Sequence, residues 1–154
     1  MNNNDIIRRL RYTFDLSDDK MIKTFLQGGS EVTRAEISDW LKKDEDPDQV
    51  NLYDKQLAAF LNGFIVGRRG KKEGVEMTAE KRLNNNQIFR KLRIALNLKD
   101  TDIINVLDKA GYKIGKTELS AFFRKPDHKH FRLCKDQVLR NFIYGLQDTF
   151  RPHG

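Results

Sequence analysis

Three side chains able to bind a transition metal lie close together in the segment HKHFRLC. His128 and His130 are separated by one residue, and Cys134 follows four residues after His130. Structural zinc sites usually hold four such ligands, and this pattern lacks the fourth ligand of a recognised zinc motif. We therefore favour a basic loop over a metal site for this segment.

Lysine and arginine side chains form a second candidate site, because they bind phosphates by displacing condensed counterions. In the same segment Lys129 and Arg132 flank Phe131, and an aromatic ring among cations suits contacts with single strands or RNA loops. The candidates for phosphate contacts are Lys91, Arg93, Lys116, Arg124, Lys125, Lys129 and Arg132.

The net charge of +7 is unevenly distributed along the chain. Residues 1–68 contain 10 Lys and Arg against 12 Asp and Glu, whereas residues 85–154 contain 14 against 7. A polyanion should therefore prefer the second half. Many basic proteins bind no nucleic acid, so charge alone leaves the partner open.

The chain repeats itself. The opening stretch NNNDIIRRLRYTFDL returns as NNNQIFRKLRIALNL with an offset of 82 residues. Residues 3–64 and 85–146 share 17 identities in 62 positions, where composition alone gives roughly four. We predict a first repeat at 1–67, a basic linker at 68–84 and a second repeat at 85–154. Such small repeats bury little surface alone, so we expect them to pack on each other.

Each repeat contains four stretches with the apolar spacing of amphipathic helices, which predicts an all-α fold. Asn4 or Asp5 is expected to cap the first helix. Three basic residues lie outside its apolar stripe in both copies. Among them Arg8 is expected to form an internal ion pair with Asp18, and the same pairing would join Arg90 to Asp100.

The second and third helices, joined by a glycine-containing turn, resemble a helix-turn-helix, although the turn GGSEVT is longer than in the common motif. We expect Leu26 to face the core, Gly29 and Gly111 to have positive φ, and Thr33 with Glu36 to form a capping box. The predicted exposed positions of the third helix are Arg34, Ser38, Asp39, Lys42 and Lys43, and Lys116, Thr117, Ser120, Ala121, Arg124 and Lys125 in the second copy.

The two copies diverge most after the third helix, where the segment DEDPDQ of the first copy corresponds to PDHKHFR in the second. An acidic loop therefore corresponds to a basic one. In the fourth helix both copies keep a glycine, Gly63 and Gly145, despite a cost of about 1 kcal/mol relative to alanine. Close packing of another helix is the expected reason.

Catalytic motifs are missing from the sequence. It contains no phosphate-binding glycine loop, no HExxH and no nucleophile elbow, and Cys134 lacks a recognisable His–Asn or His–Asp partner set. We expect no enzymatic activity and no cofactor. A single cysteine, a polar start and no long apolar run predict a cytoplasmic protein without a membrane segment.

Specific blocks of both copies, LRYTFDLSDDKMI, SDWLKK and DKQLAAFLNGFIVGRRGKK among them, resemble the YehS-like family of small bacterial proteins with a duplicated domain of unknown function. The resemblance covers nearly the whole chain. It implies a bacterial cytoplasmic source and an all-helical fold, and it supplies no activity, substrate or catalytic residue.

Two functions fit the sequence. Our working hypothesis is a non-enzymatic nucleic-acid-binding or regulatory module, for DNA or RNA, that uses mainly its basic second repeat. The alternative is a protein–protein adaptor without a nucleic-acid role. Its acidic and basic copies would bind different partners or associate head to tail, and the oligomeric state is left open.

Overall fold

The computed structural model describes residues 1–71 and 77–152, which contain eight α-helices and no strand. The chain forms two compact units, residues 1–83 and 84–154. The prediction of an all-α tandem duplication is confirmed. The helices are α1 (Asn3–Thr13), α2 (Asp18–Gln27), α3 (Arg34–Leu41), α4 (Asp54–Arg69), α5 (Asn85–Leu96), α6 (Asp100–Lys109), α7 (Lys116–Phe122) and α8 (Asp136–Phe150).

Polar caps define where the first three helices begin. Ser17 accepts the Lys20 amide at the start of α2, and Thr33 with Glu36 forms the predicted capping box of α3. The predicted cap of α1 is wrong. Asn2 occupies that position, and its side chain accepts the amide N–H of Asp5 at 2.8 Å. Asn3 and Asn4, the other two residues of the NNN run, therefore do not cap the helix and make other contacts.

In the first unit, α2 packs mainly on α4, and α1 and α3 cover the remaining apolar surface. The rings of Phe25 and Phe60 lie 5.2 Å apart, and both side chains are fully buried. Trp40 from α3 packs on Phe25 with 5.4 Å between ring centroids. The prediction that Leu26 faces this core is wrong, because its side chain is 55% exposed and Thr24 takes the inward position.

The second unit has the same pattern of contacts, with α6 packed mainly on α8. Phe89 of α5 lies at its centre. The ring of this phenylalanine is 4.4 Å from that of Phe142 and 5.0 Å from that of Phe123. Both turns that follow the second helix of a unit contain the predicted positive-φ glycine, with φ of 88° at Gly29 and 81° at Gly111.

The glycines that both copies share in their fourth helices lie where another helix crosses, as predicted. A Cβ atom on Gly63 would lie 1.7 Å from the carbonyl oxygen of Thr24 in α2. A Cβ atom on Gly145 would lie 2.1 Å from the carbonyl oxygen of Val106 in α6. Thr24 and Val106 are themselves equivalent under the offset of 82. The closest approach of helix backbones is therefore the same in both units.

The last helix of the first unit extends past residue 67, the predicted end of the first repeat. Helix α4 continues through Arg68 and Arg69, and Gly70 follows it with φ of 82°. The guanidinium of Arg68 lies over the Phe14 and Phe64 rings, so this residue belongs to the helical unit. Part of the predicted basic linker, residues 72–76, lies outside the described residues. In the described ranges, no helix has the length and apolar character needed to cross a bilayer.

Substitution of Gly63 tests the helix crossing. We expect Gly63→Ala to lower the free energy of unfolding by about 2 kcal/mol or more, because the added methyl group meets backbone that cannot yield. The sole tryptophan, Trp40, is buried in this unit. Its fluorescence during urea denaturation therefore reports the unfolding of the first unit.

Gly67→Ala, in the same helix, is the matched control. Its Cβ would meet only the flexible Gln27 side chain, at 3.1 Å. This variant should be neutral or stabilising by up to about 1 kcal/mol, because alanine is the better helix former. Equal effects of the two substitutions would contradict the proposed reason for glycine at position 63.

Candidate nucleic-acid interface

Two equivalent loops follow the third helix of each unit. We call residues 42–50 the acidic loop and residues 124–132 the basic loop. Their backbones follow the same course, because every turn bond of one recurs in the other at an offset of 82. The bonds are Asp46 N to Lys43 O, Gln49 N to Asp46 O and Val50 N to Asp39 O in the first unit, and His128 N to Lys125 O, Phe131 N to His128 O and Arg132 N to Ala121 O in the second.

The charges of the two loops are opposite although their backbones correspond. The acidic loop contains four carboxylates and two lysines, whereas the basic loop contains four Lys and Arg residues and one aspartate. All four cations of the basic loop are exposed: Arg124, Lys125, Lys129 and Arg132. The fold therefore accepts either sign of net charge in this loop.

A buried asparagine holds the basic loop in place. The side-chain amide of Asn86, in the first turn of α5, donates to the carbonyl oxygens of Phe122 at 3.0 Å and Arg132 at 2.9 Å. Its own carbonyl oxygen accepts the backbone N–H of Cys134 at 2.9 Å. One side chain thus joins the end of α7, the end of the loop and the approach to α8.

Asn4 makes the same three bonds in the first unit, which explains why it is not the cap of α1. It donates to Trp40 O and Val50 O, each at 2.9 Å, and accepts the Leu52 N–H at 3.1 Å. Asn4 is 3% exposed and Asn86 is 7% exposed. Buried amides of this kind must have their hydrogen bonds satisfied, and here all of the partners are backbone groups.

The predicted ion pairs of Arg8 and Arg90 with the kept aspartates are wrong. Arg11 pairs with Asp18 at 3.0 Å, and its equivalent Arg93 pairs with Asp100 at 2.8 Å. The guanidinium of Arg93 also lies 4.6 Å from the centre of the Phe123 ring. Its side chain is 27% exposed. Arg93, a candidate for phosphate contacts, is thus already held by two partners of its own unit.

Arg8 and Arg90 have a different role from the one predicted. Each donates to the backbone carbonyl of the residue that caps the third helix, Lys42 in α3 and Phe123 in α7, at 2.7 Å in both cases. A cation at a helix C-terminus is favoured by the helix dipole. Both residues therefore stabilise the start of the loops.

The other candidates are distributed as follows. Lys116 is exposed at the first residue of α7 and lines a hollow of about 390 Å³ with Arg93 and Lys99. Lys91 is half-buried and makes contacts within its unit. The prediction that Ala121 is exposed on α7 is wrong, because it is 8% exposed. The structure thus brings Arg124, Lys125, Lys129 and Arg132 together on one loop and places Lys91 and Arg93 on another helix.

A pocket of about 580 Å³ opens between α7 and the basic loop. We call it the loop pocket. Two of the candidates contribute to it, Arg124 and Arg132. The sequence analysis placed Thr117 and Ala121 on the helix-turn-helix-like pair and weighed His130 as a metal ligand, but it did not identify Glu118 or Phe122 as functional. The sequence signal for the pocket was a difference between the copies at positions 115, 121 and 130. The complete lining is Thr117, Glu118, Ala121, Phe122, Arg124, His130 and Arg132.

Position 121 explains why Arg124 is available in the pocket. In the first unit the equivalent residue is Asp39, which accepts a hydrogen bond from Lys42 at 2.7 Å. That bond raises the pKa of Lys42 and holds its side chain against α3. In the second unit Ala121 replaces the aspartate, and Arg124 replaces the lysine. Without a carboxylate at position 121, Arg124 is not tied to α7 in this way.

Cys134 and the two histidines do not form a cluster. Cys134 is 4% exposed, and burial raises the pKa of its thiol to about 12. His128 and His130 are exposed on the loop. Within residues 1–71 and 77–152, no three His, Cys, Asp or Glu side chains are arranged to hold a metal ion.

The fold and the repeated loops define a protein built from two copies of one four-helix domain. The chain belongs to the family described as protein of unknown function (DUF1456), whose model matches residues 3–70 and again 85–151. It is 39% identical over 147 residues to the uncharacterized protein YehS of Escherichia coli strain K12. The aligned residues cover 95% of this chain and 94% of that protein. The resemblance inferred from the sequence is confirmed. No solved structure matches the chain.

Substitution of Asn86 tests the hydrogen bonds that fix the basic loop. We expect Asn86→Ala to lower the free energy of unfolding of the second unit by about 3 kcal/mol or more, because three backbone groups lose their partner. Urea denaturation followed by circular dichroism measures this change. Amide exchange at Cys134 should also become faster.

Asn84→Ser serves as the control, since serine preserves the helix cap that Asn84 makes to the Gln87 amide at 2.9 Å. This variant should change stability by less than about 0.5 kcal/mol. A loss no greater in Asn86→Ala than in Asn84→Ser would show that the asparagine does not hold the loop.

Proposed function

We propose that this protein is a non-enzymatic nucleic-acid-binding or regulatory module whose second unit binds the phosphate backbone. The observation that carries the proposal is the reversal of charge between two loops of the same backbone course. Since the acidic loop folds with proline and valine at the positions of Lys129 and Arg132, these two cations are not required by the fold. Their charge is available to an external polyanion.

The phosphate contacts are assigned to Lys116, Arg124, Lys125, Lys129 and Arg132, which are exposed on α7 and the loop that follows it. Helices α6 and α7 pack on each other and are joined by residues 110–115, an arrangement similar to a helix-turn-helix with a long turn. Arg93 is assigned to the scaffold because of its contacts with Asp100 and Phe123.

A binding role is favoured over catalysis by the state of the strongest potential nucleophile. Burial keeps the Cys134 thiol protonated at neutral pH, and a thiol reacts mainly as the thiolate. We assign no catalytic residue and no cofactor. A single reduced cysteine also suits the cytoplasm, which is the location we propose.

A salt titration tests the proposed interface. Binding to generic duplex DNA or RNA should weaken steeply with salt, since each phosphate contact releases counterions. We expect Arg124→Glu with Lys125→Glu to reduce the slope of log K against log salt by about 2, as two contacts are lost. Fluorescence anisotropy with a labelled duplex measures the slope.

The equivalent double substitution in the first unit, Lys42→Glu with Lys43→Glu, is the matched control. It makes the same change of charge at corresponding loop positions. This variant should keep the slope of the unaltered protein. Absence of binding at low salt, or equal loss in both variants, would refute the assignment to the basic loop.

A second candidate function is protein–protein association, favoured by an exposed leucine beside the basic loop. Leu133 is 69% exposed and directly follows Arg132. Two loops of opposite charge are complementary, so the acidic loop of one molecule could contact the basic loop of the next.

Sedimentation velocity at several protein concentrations distinguishes this candidate. Association through the loops predicts a mass that rises with concentration at low salt and returns to that of the monomer at high salt. A monomer under all conditions would exclude self-association through the loops. A pull-down with and without nuclease then separates partners held through nucleic acid from partners bound directly.

A further inference from the structure

We infer that the loop pocket receives one unpaired nucleotide, so that the preferred ligand is single-stranded nucleic acid rather than a duplex. This inference rests on the proposed function and adds the class of substrate. It depends on three features of the pocket, which are a cationic rim, a released carboxylate and the volume of the recess.

Two hydrogen-bond donors lie beside each other at Arg124, which lines the pocket, and His128, a neighbouring residue of the basic loop. The backbone N–H of His130 donates to Nδ1 of His128 at 3.0 Å, so the proton of the neutral His128 ring lies on Nε2. That nitrogen is 3.5 Å from Nη1 of Arg124, which can only donate. An oxygen atom about 2.9 Å from both nitrogens would accept both hydrogen bonds, and a phosphate supplies such an oxygen.

The wall of the pocket contains the carboxylate of Glu118. In the first unit Glu36 is held by the capping box with Thr33. The equivalent of Thr33 is Gly115, which has no side chain to take part, and Glu118 has no hydrogen bond or ion pair within the described part of the chain. Glutamate accepts hydrogen bonds from the exocyclic amino groups of bases. Glu118 can therefore read the edge of a base in the pocket.

The size of the recess is suited to a base and its sugar. Pockets for small ligands span about 300–1,000 Å³, and the loop pocket has about 580 Å³. Phe122 contributes an aromatic surface, with Ala121 beside it. A base paired within a duplex cannot enter such a recess, whereas single strands can turn a base outward and stack it on an aromatic side chain.

The first unit lacks this combination. Its equivalents of Arg124, His130 and Arg132 are Lys42, Asp48 and Val50, and the Lys42 ammonium is bonded to Asp39 at 2.7 Å. We expect Ala121→Asp to recreate that bond with Arg124 and so to withdraw the Arg124 guanidinium from the pocket. Lys125→Gln is the matched control, because it lowers the net charge by the same amount from an exposed position on the loop.

The test compares a labelled single strand of about eight nucleotides with a duplex of the same length and sequence, in ribose and deoxyribose forms. Charge density alone would favour the duplex. We expect the single strand to bind about tenfold tighter, which corresponds to one stacked base. Ala121→Asp should abolish this preference. Lys125→Gln should weaken binding of both ligands by a similar factor and keep the preference.

His130→Ala, at an exposed position of the pocket wall, provides a second variant should Ala121→Asp fold poorly, and it should also reduce the preference. Equal binding of both ligands, or a preference that is unchanged in these variants, would overturn the pocket inference. The proposed function would still stand if salt-dependent binding to the basic loop were observed. No binding to either ligand at low salt would overturn the proposed function together with the inference.

Discussion

The amide of one buried asparagine determines the course of each loop. Asn4 and Asn86 each join three backbone groups that belong to the end of one helix, the end of a loop and the approach to the next helix. Leaving such groups unpaired inside the protein costs about 1–3 kcal/mol each. The loop is thereby held by a residue outside it, through bonds that involve only its backbone.

This constraint explains how the two copies can share a scaffold and differ in surface chemistry. Because the asparagine contacts carbonyl oxygens and an amide, the loop side chains are free to change without loss of these bonds. Three turn bonds that recur in both loops are also between backbone groups. Substitution has accordingly reversed the charge of the loop, while the crossing at Gly63 and Gly145 and the buried amides of the first helices were kept in both units.

Much of the fold followed from the sequence, because apolar spacing, capping residues and kept glycines report local geometry directly. The interactions of polar residues did not. An asparagine at the start of a helix can be a cap or a buried amide, and the sequence does not distinguish the two roles. For Asn4 the role depends on the position of a loop that is distant in sequence. Likewise, Arg8 and Arg11 both lie near Asp18 in the chain. In the structure Arg11 reaches Asp18, across a turn in which Asp15 has φ of 51°.

The candidate site was predictable only in part, because it depends on side chains that the first copy has and the second copy lacks. The cations of the basic loop are evident from composition, but a pocket arises from a side chain that is missing. Asp39 holds Lys42 in the first unit, whereas Ala121 leaves Arg124 without that partner. In the same way Gly115 releases Glu118 from a capping box. In the second unit one cation and one carboxylate therefore lie in a common recess without these structural contacts, and the inferred nucleotide site depends on this arrangement.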